Sequence, residues 1–151
     1  MQKALEHTNL LKIFNSSYMF SKEERSSFKY WFAHWCAYQM TALNLKCWKF
    51  RHLFHDAEKP WMKLIFSYPT VQQFHRNHNK HHMAYYLKYG KCNWLDMAID
   101  WECSRFTKTS SPRTCREELE RYLSIHKDEL TNKQYTEIKT NITQICDRLG
   151  I

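Results

Sequence analysis

Glycine and proline are scarce in this chain, at two and three residues of 151. A β-rich fold spends turn residues at every hairpin, so their scarcity disfavours one. Rossmann and P-loop nucleotide sites are excluded more directly, because the glycine motifs that let a backbone approach a phosphate are missing. No apolar run approaches the ~20 residues of a membrane span, and no secretory leader is read at the N-terminus. The six cysteines (Cys36, Cys47, Cys92, Cys103, Cys115 and Cys146) form no C-x-x-C and no repeated spacing. Reduced thiols in a cytoplasm are therefore expected, with neither disulfides nor a zinc site built from cysteine.

What is present fits long helices joined by short connections, packed as a single domain. Nine Phe, nine Tyr and six Trp can fill a core without much Val or Ile. The formal charge of +8 favours anionic partners such as nucleotides or nucleic acid.

The chain reads as an all-α bundle of six or seven helices. Residues 2–14 make a short amphipathic helix. Ser21-Lys22-Glu23-Glu24 is a capping box that opens a long helix reaching Lys49 or Phe54. Its core candidates are Phe28, Trp31, Phe32, Trp35, Leu43 and Trp48. A break near Arg51–Phe54 sets His55 on its own helix, and Pro60 falls in the first turn of a short helix or ends the one carrying His55. A helix then runs from Pro69-Thr70 to Lys88, closed by Gly90. Asn93 caps another that reaches Thr107. Ser111 and Pro112 open the first of two polar helices, about 113–129 and 132–148, the second capped by Thr131 and closed by Gly150. Residues 22–108 form the expected site-bearing core, and 112–149 an αα-hairpin that covers it or makes a homodimer contact. The hairpin's apolar stripe is Leu119, Tyr122 and Leu123 with Ile138, Ile142, Ile145 and Leu149.

Histidines and acids carry the chemistry. On the expected helix over 70–88 the inward stripe is Val71, Phe74, His75, His78, His82, Tyr85 and Tyr89. Three histidines on one apolar stripe are costly unless their rings are bonded or hold a metal. His78 and His82, four apart, share a face and can share an ion. Which of His81 and His82 faces inward stays open. Asp96 and Asp100 are also four apart. Asp96 reads as a helix-dipole carboxylate beside its Asn93 cap, and Asp100 as an acid at an apolar wall next to Trp101. His55 and Asp56 are adjacent, and neighbours on a helix point about 100° apart, so both can bind one ion only at a helix end or crevice. Lys59 follows one turn after His55, placed to bind a phosphate oxygen.

The order His34 … His55-Asp56-x-x-Lys59 … Asp100 resembles the ligand pattern of the HD-domain superfamily of all-helical, metal-dependent phosphohydrolases. The resemblance implies that His34, His55, Asp56 and Asp100 hold a divalent metal (Mn, Fe, Co, Ni, Zn or Mg), with His78 and His82 supplying a second. A nearer resemblance, over residues 34–107, is to an uncharacterised family of small phage and bacterial proteins. It rests on His55–Lys59, on Asn79-Lys80-His81-His82, and on Asp96 through Asp100-Trp101-Glu102. That likeness implies residence in a cytoplasm, the host cell's for a phage-encoded chain. Where nucleotidase branches of the superfamily have a Glu four residues after the first His of the doublet, this chain has Lys59.

The resulting expectation is a phosphohydrolase acting on a nucleotide or another small phosphorylated compound, with Asp56 and Lys59 as its catalytic groups. Lys59, Arg51, Arg76 and His81 would contact the anion. Two other readings compete with it. One is a basic helical protein that binds nucleic acid or a host protein, and the other is a di-iron oxygenase of the same ligand type.

Overall fold

The computed structural model describes residues 20–110 and 112–151; the expected helix over 2–14 and the cap at Ser111 lie outside them. Seven α-helices are present among the described residues: α1 (Phe28–Asn44), α2 (Glu58–Met62), α3 (Tyr68–His78), α4 (Met83–Tyr89), α5 (Trp94–Ser104), α6 (Cys115–Ile125) and α7 (Asn132–Leu149). Short 3-10 turns occupy Glu24–Ser26 and Phe50–Phe54. The fold is an all-α bundle, and none of its described helices is long and apolar enough to cross a membrane.

The expected capping box exists but serves a turn rather than the long helix. The Ser21 amide donates to Glu24 Oε2 at 2.8 Å and the Glu24 amide to Ser21 Oγ at 3.4 Å. Ser27 caps α1 itself, its Oγ accepting from the Tyr30 amide at 3.1 Å. α1 stops at Asn44, well short of Lys49, because Lys46 turns into left-handed backbone (φ 53°). His55 does not start a helix. It ends the Phe50–Phe54 turn, and Pro60 sits in the first turn of α2.

The buried face of α1 is also not the expected one. Phe28, Phe32 and Leu43 are more than half exposed, whereas Tyr30, Ala33, His34, Ala37, Tyr38, Thr41 and Ala42 are buried. Both sets recur at helical spacing, so periodicity alone does not choose between them. Small alanines win the inner face because they let α5 approach closely; Ala37, Tyr38 and Ala42 pack on Ile99 and Cys103. The large aromatics are left on the outside, where they continue into exposed Trp61, Leu64 and Ile65.

The largest departure is in the fourth segment. The helix expected over 70–88 is interrupted at Asn79–His82, which gives α3 and α4. Asn79 takes extended backbone (φ −95°, ψ 126°) and its side chain donates to Glu58 Oε1 at 2.7 Å. An asparagine loses little by leaving a helix, since its side chain competes with the helical backbone for hydrogen bonds. Phe74 and His78 consequently face solvent, while Val71 and His75 are buried.

Chain ends of the later helices follow local rules. Gly90 (φ 64°) and Gly150 (φ 74°) provide left-handed caps for α4 and α7. Asn93 and Thr131 cap α5 and α7. α5 ends at Ser104 rather than Thr107, and α6 begins at Cys115, three residues after Pro112, with a Thr114–Glu117 capping box. α6 and α7 pack on α5 through a core of Met97, Ala98, Leu119, Leu123, Ile138 and Ile142. Burial of each such aliphatic side chain contributes roughly 1.5–3 kcal/mol. With α6 and α7 behind it, α5 is held firmly, and its other face carries Asp100.

Candidate metal centre

Four separate stretches deliver side chains to one buried point. α1 supplies His34 and α5 supplies Asp100, and the two meet across the helix packing: His34 Nε2 lies 2.9 Å from Asp100 Oδ1. His34 is braced on its other side by Thr107 Oγ1, 3.3 Å from Nδ1. The His55 ring stacks flat on Tyr38, with centroids 3.6 Å apart and 8° between planes. Asp56 adopts left-handed backbone (φ 57°), which aspartate tolerates better than most residues. That corner solves the geometric difficulty of adjacent ligands, because the pair sits on no helix and both side chains turn inward. The Trp31 indole N–H donates to the Asp56 carbonyl at 2.8 Å and pins the corner to α1.

Asp56 is the hub. Its Oδ1 lies 3.6 Å from His55 Nε2, 3.7 Å from His81 Nε2 and 3.0 Å from His75 Nε2, the last off the direction that a hydrogen bond requires. Its Oδ2 accepts from Lys59 Nζ at 2.5 Å and lies 3.9 Å from His34 Nε2. His55 Nε2, Asp56 Oδ1 and His81 Nε2 are all buried without a hydrogen-bond partner among the described residues. Three orphaned ligand atoms facing one another are expensive to leave unsatisfied, and a bound cation would satisfy them together.

The break between α3 and α4 completes the arrangement. His75 Nε2 lies 2.6 Å from His82 Nε2, and His81 joins them from the intervening turn. Glu58 accepts from His75 Nδ1–H and thereby turns Nε2 toward Asp56. His34 with His55 and Asp56, and His75 with His81 and His82, are buried or half-buried groups that could hold a metal ion. A third grouping, His34 with Asp100 and Cys103, is chemically weaker, since burial pushes the Cys103 thiol well up and keeps it protonated.

Protonation suits ligation. Burial lowers the pKa of His34 and drives those of His55 and His82 well down, so these rings are neutral. Burial also opposes ionisation of Asp56 and Asp100. It is outweighed at Asp56 by His55, Lys59 and His75, and at Asp100 by His34 and Lys108, so both carboxyls lie well below the usual range. At His75 the carboxylates of Asp56 and Glu58 overcome burial and raise the pKa. Neutral imidazoles beside ionised carboxylates are the forms that bind divalent metals, so His34, His55 and His82 are ready to ligate and His75 must first give up a proton.

A cleft of about 380 Å³ opens onto this cluster, with His34, His82, Asp100 and Lys59 on its lining. Lys22, Arg25, Arg76 and Lys108 line the rest, together with Tyr30 and Tyr68. Burial opposes the charge on Lys59, but the Asp56 carboxylate overcomes it and raises its pKa, so the ammonium is retained. A second cavity, of about 120 Å³, reaches His55, Asp56 and His81 past Arg51 and Asp96.

Several expected site residues change role. His78 is exposed, its Nδ1 donating to the Phe74 carbonyl at 2.8 Å and its ring stacked on Phe74, so it joins none of the His/Asp groups. The helix carrying the expected His78/His82 pair is broken between them. Arg51 is spent on Asp96 at 2.8 Å, away from the cationic cleft. Asp96 also meets His52 at 3.2 Å and is tied to its Asn93 cap, a structural role. His81 and His82 both face the cluster. His75 is read from the sequence as part of the histidine stripe but not assigned as a ligand, and Glu58 is not singled out, although Asn79 inside the expected helix is a signal that the register changes. No family model, curated protein or solved structure matches this chain.

Proposed function

We propose that the protein is a metal-dependent phosphohydrolase of the HD type, acting on a nucleotide or another small phosphorylated compound. The observation that carries this reading is the convergence of orphaned His55, Asp56 and His81 atoms beneath a cleft rich in cations. His34, His55, Asp56 and Asp100 would hold one ion; His75, His81 and His82, sharing Asp56, would hold a second. Bound divalent ions supply Lewis acidity toward a phosphoryl oxygen and toward water.

The chain's own residues supply the rest. Asp56 fixes Lys59, whose ammonium lies on the cleft and neutralises charge on the reacting phosphate. Thr107 braces the His34 ring through Nδ1, and Glu58 orients that of His75, so the donor atoms are turned to the cluster before any ligand arrives. The cationic cleft draws an anion in, and its volume is that of a small-molecule site.

The test is elemental mass spectrometry of the purified protein beside Asp56→Ala, each repeated after Mn loading and followed by a nucleotide-phosphatase screen. Stoichiometric Mn, Fe, Co, Ni or Zn in the wild type, lost in the variant, together with phosphate release, is the expected result. If neither protein takes up metal after loading, the reading fails. Nucleic-acid binding that weakens steeply with salt and ignores chelators would then replace it.

A further inference from the structure

We propose that the substrate carries a second phosphate group, seated on Lys22, Arg25 and Arg76 in the cleft; this specifies the substrate of the phosphohydrolase reading above and rests on it. A nucleoside diphosphate or triphosphate, or a bisphosphate, is the class of ligand that fits.

The argument is one of charge accounting. Two of the five cations on the cleft are already matched: Lys59 pairs with Asp56, and Lys108 lies near enough to Asp100 to help hold that carboxyl ionised. Among the described residues Lys22, Arg25 and Arg76 make no ion pair. Arg25 donates from Nη2 to Ser110 Oγ at 2.5 Å, a neutral partner, while its Nε is buried with no hydrogen-bond partner among the described residues. Of the other six arginines, Arg51, Arg105, Arg113, Arg116 and Arg121 each pair with a carboxylate, and Arg148 makes no ion pair among the described residues.

Three cations around one concavity repel one another, and although solvent screens exposed Lys22 and Arg76, an anion of matching charge relieves the repulsion further. A single phosphate at the His/Asp cluster would be met by the bound ions, with Lys59 beside it still paired to Asp56. A second phosphate would take up the remaining charge, with two guanidinium groups offering forked donors to its oxygens. The cleft, at about 380 Å³, has room for a nucleotide-sized molecule and not for a long polymer enclosed within it.

Isothermal titration with methylenediphosphonate and with methylphosphonate tests this, on the Mn-loaded and the chelator-treated protein. The wild type should bind the diphosphonate at least about tenfold more tightly than the monophosphonate, the worth of one charge-assisted contact. In the Arg25→Gln/Arg76→Gln double variant that preference should be lost, the affinity for the diphosphonate falling to that for methylphosphonate. Circular dichroism checks its fold, and Lys22→Gln, at an exposed site, provides the same test should the double variant fail to fold. Equal affinity of the wild type for the two probes would overturn the proposal, as would a preference that survives in the variants. Displacement of the diphosphonate by a short single-stranded oligonucleotide at a lower concentration than by a nucleoside diphosphate would also overturn it, since the cations would then follow a phosphodiester chain. The two readings fail separately: absence of metal with the diphosphonate preference intact removes the metal-dependent chemistry alone, and metal present without the preference removes the second-phosphate site alone.

Discussion

Replacing Asp56 by Asn should destabilise the metal-free protein by an amount that can be assigned to Lys59. The substitution conserves shape and suits the left-handed backbone at φ 57°, so it adds no backbone penalty. The Trp31 hydrogen bond goes to the residue 56 carbonyl and survives. What is lost is the carboxylate that pairs with Lys59 Nζ at 2.5 Å. Leaving one member of a buried ion pair behind typically costs about 3–5 kcal/mol, and the 15% exposure of the Lys59 side chain to the cleft places this case near the lower end, at about 3 kcal/mol. If that assignment is right, Asp56→Asn/Lys59→Met should recover about 2 kcal/mol relative to Asp56→Asn, because the stranded ammonium is gone. Urea denaturation in chelator, followed by circular dichroism, measures both differences. Neither variant should take up metal, so recovered stability without recovered metal separates the two roles of Asp56. An Asp56→Asn protein within about 0.5 kcal/mol of wild type, or a double variant no more stable than the single, would refute the reasoning.

Acidification should also weaken the metal-free fold. The pKa values of His34, His55 and His82 are lowered, so between pH 6.5 and 5 the unfolded chain binds more protons than the folded one and stability falls as pH falls. Each such group contributes up to about 1.4 kcal/mol per pH unit in its window. His75, whose pKa is raised, works in the opposite sense but only above its unfolded value of about 6.5, so a urea midpoint that stays flat from pH 6.5 to 5 would contradict the assignment. Glu58→Gln should leave the fold intact and lower metal affinity about 10–100-fold, measured by competition with a chelating dye, because Glu58 orients the ring of His75. His78→Ala should leave metal content unchanged and stability within about 0.5 kcal/mol, since His78 is exposed and bonded to its own helix; a loss of bound metal would show that the α3–α4 break does not separate it from the site.

The bundle was legible because its signals are local. Scarce glycine and proline, Asn93 and Thr131 at helix starts, and Gly90 and Gly150 at helix ends each act within one turn of the residue that carries them. The stripe of Leu119, Leu123, Ile138 and Ile142 was equally readable, because nothing on the opposite faces of those two helices competes with it for burial. α1 was misjudged because both of its faces are rich in apolar residues. Choosing between an aromatic face and an alanine face needs the shape of α5, which lies some 60 residues away in the chain.

The site divides along the same line. His34, His55, Asp56 and Asp100 are named as a set through the resemblance of their order to the HD-domain ligand pattern, and the structure draws these four together. The choice among His75, His78, His81 and His82 turned instead on whether α3 continues through Asn79, and that is decided by Glu58. Its carboxylate gathers both the Asn79 amide and the His75 ring, so the helix ends where these two bonds become available. Had α3 continued, His75, His78 and His82 would have shared a stripe and His81 would have pointed elsewhere. With the break, His75, His81 and His82 meet at Asp56 and His78 is released to solvent. The residue that holds this turn thus lies 17 positions before His75 and belongs to none of the groups that could hold an ion. The cations of the cleft were obscure for a related reason. Lys22 and Arg25 precede α1 and Arg76 lies on α3, and only the packing of those elements against one another shows that their charges stand around a common anion-sized space, with Asp100 the carboxylate on its lining.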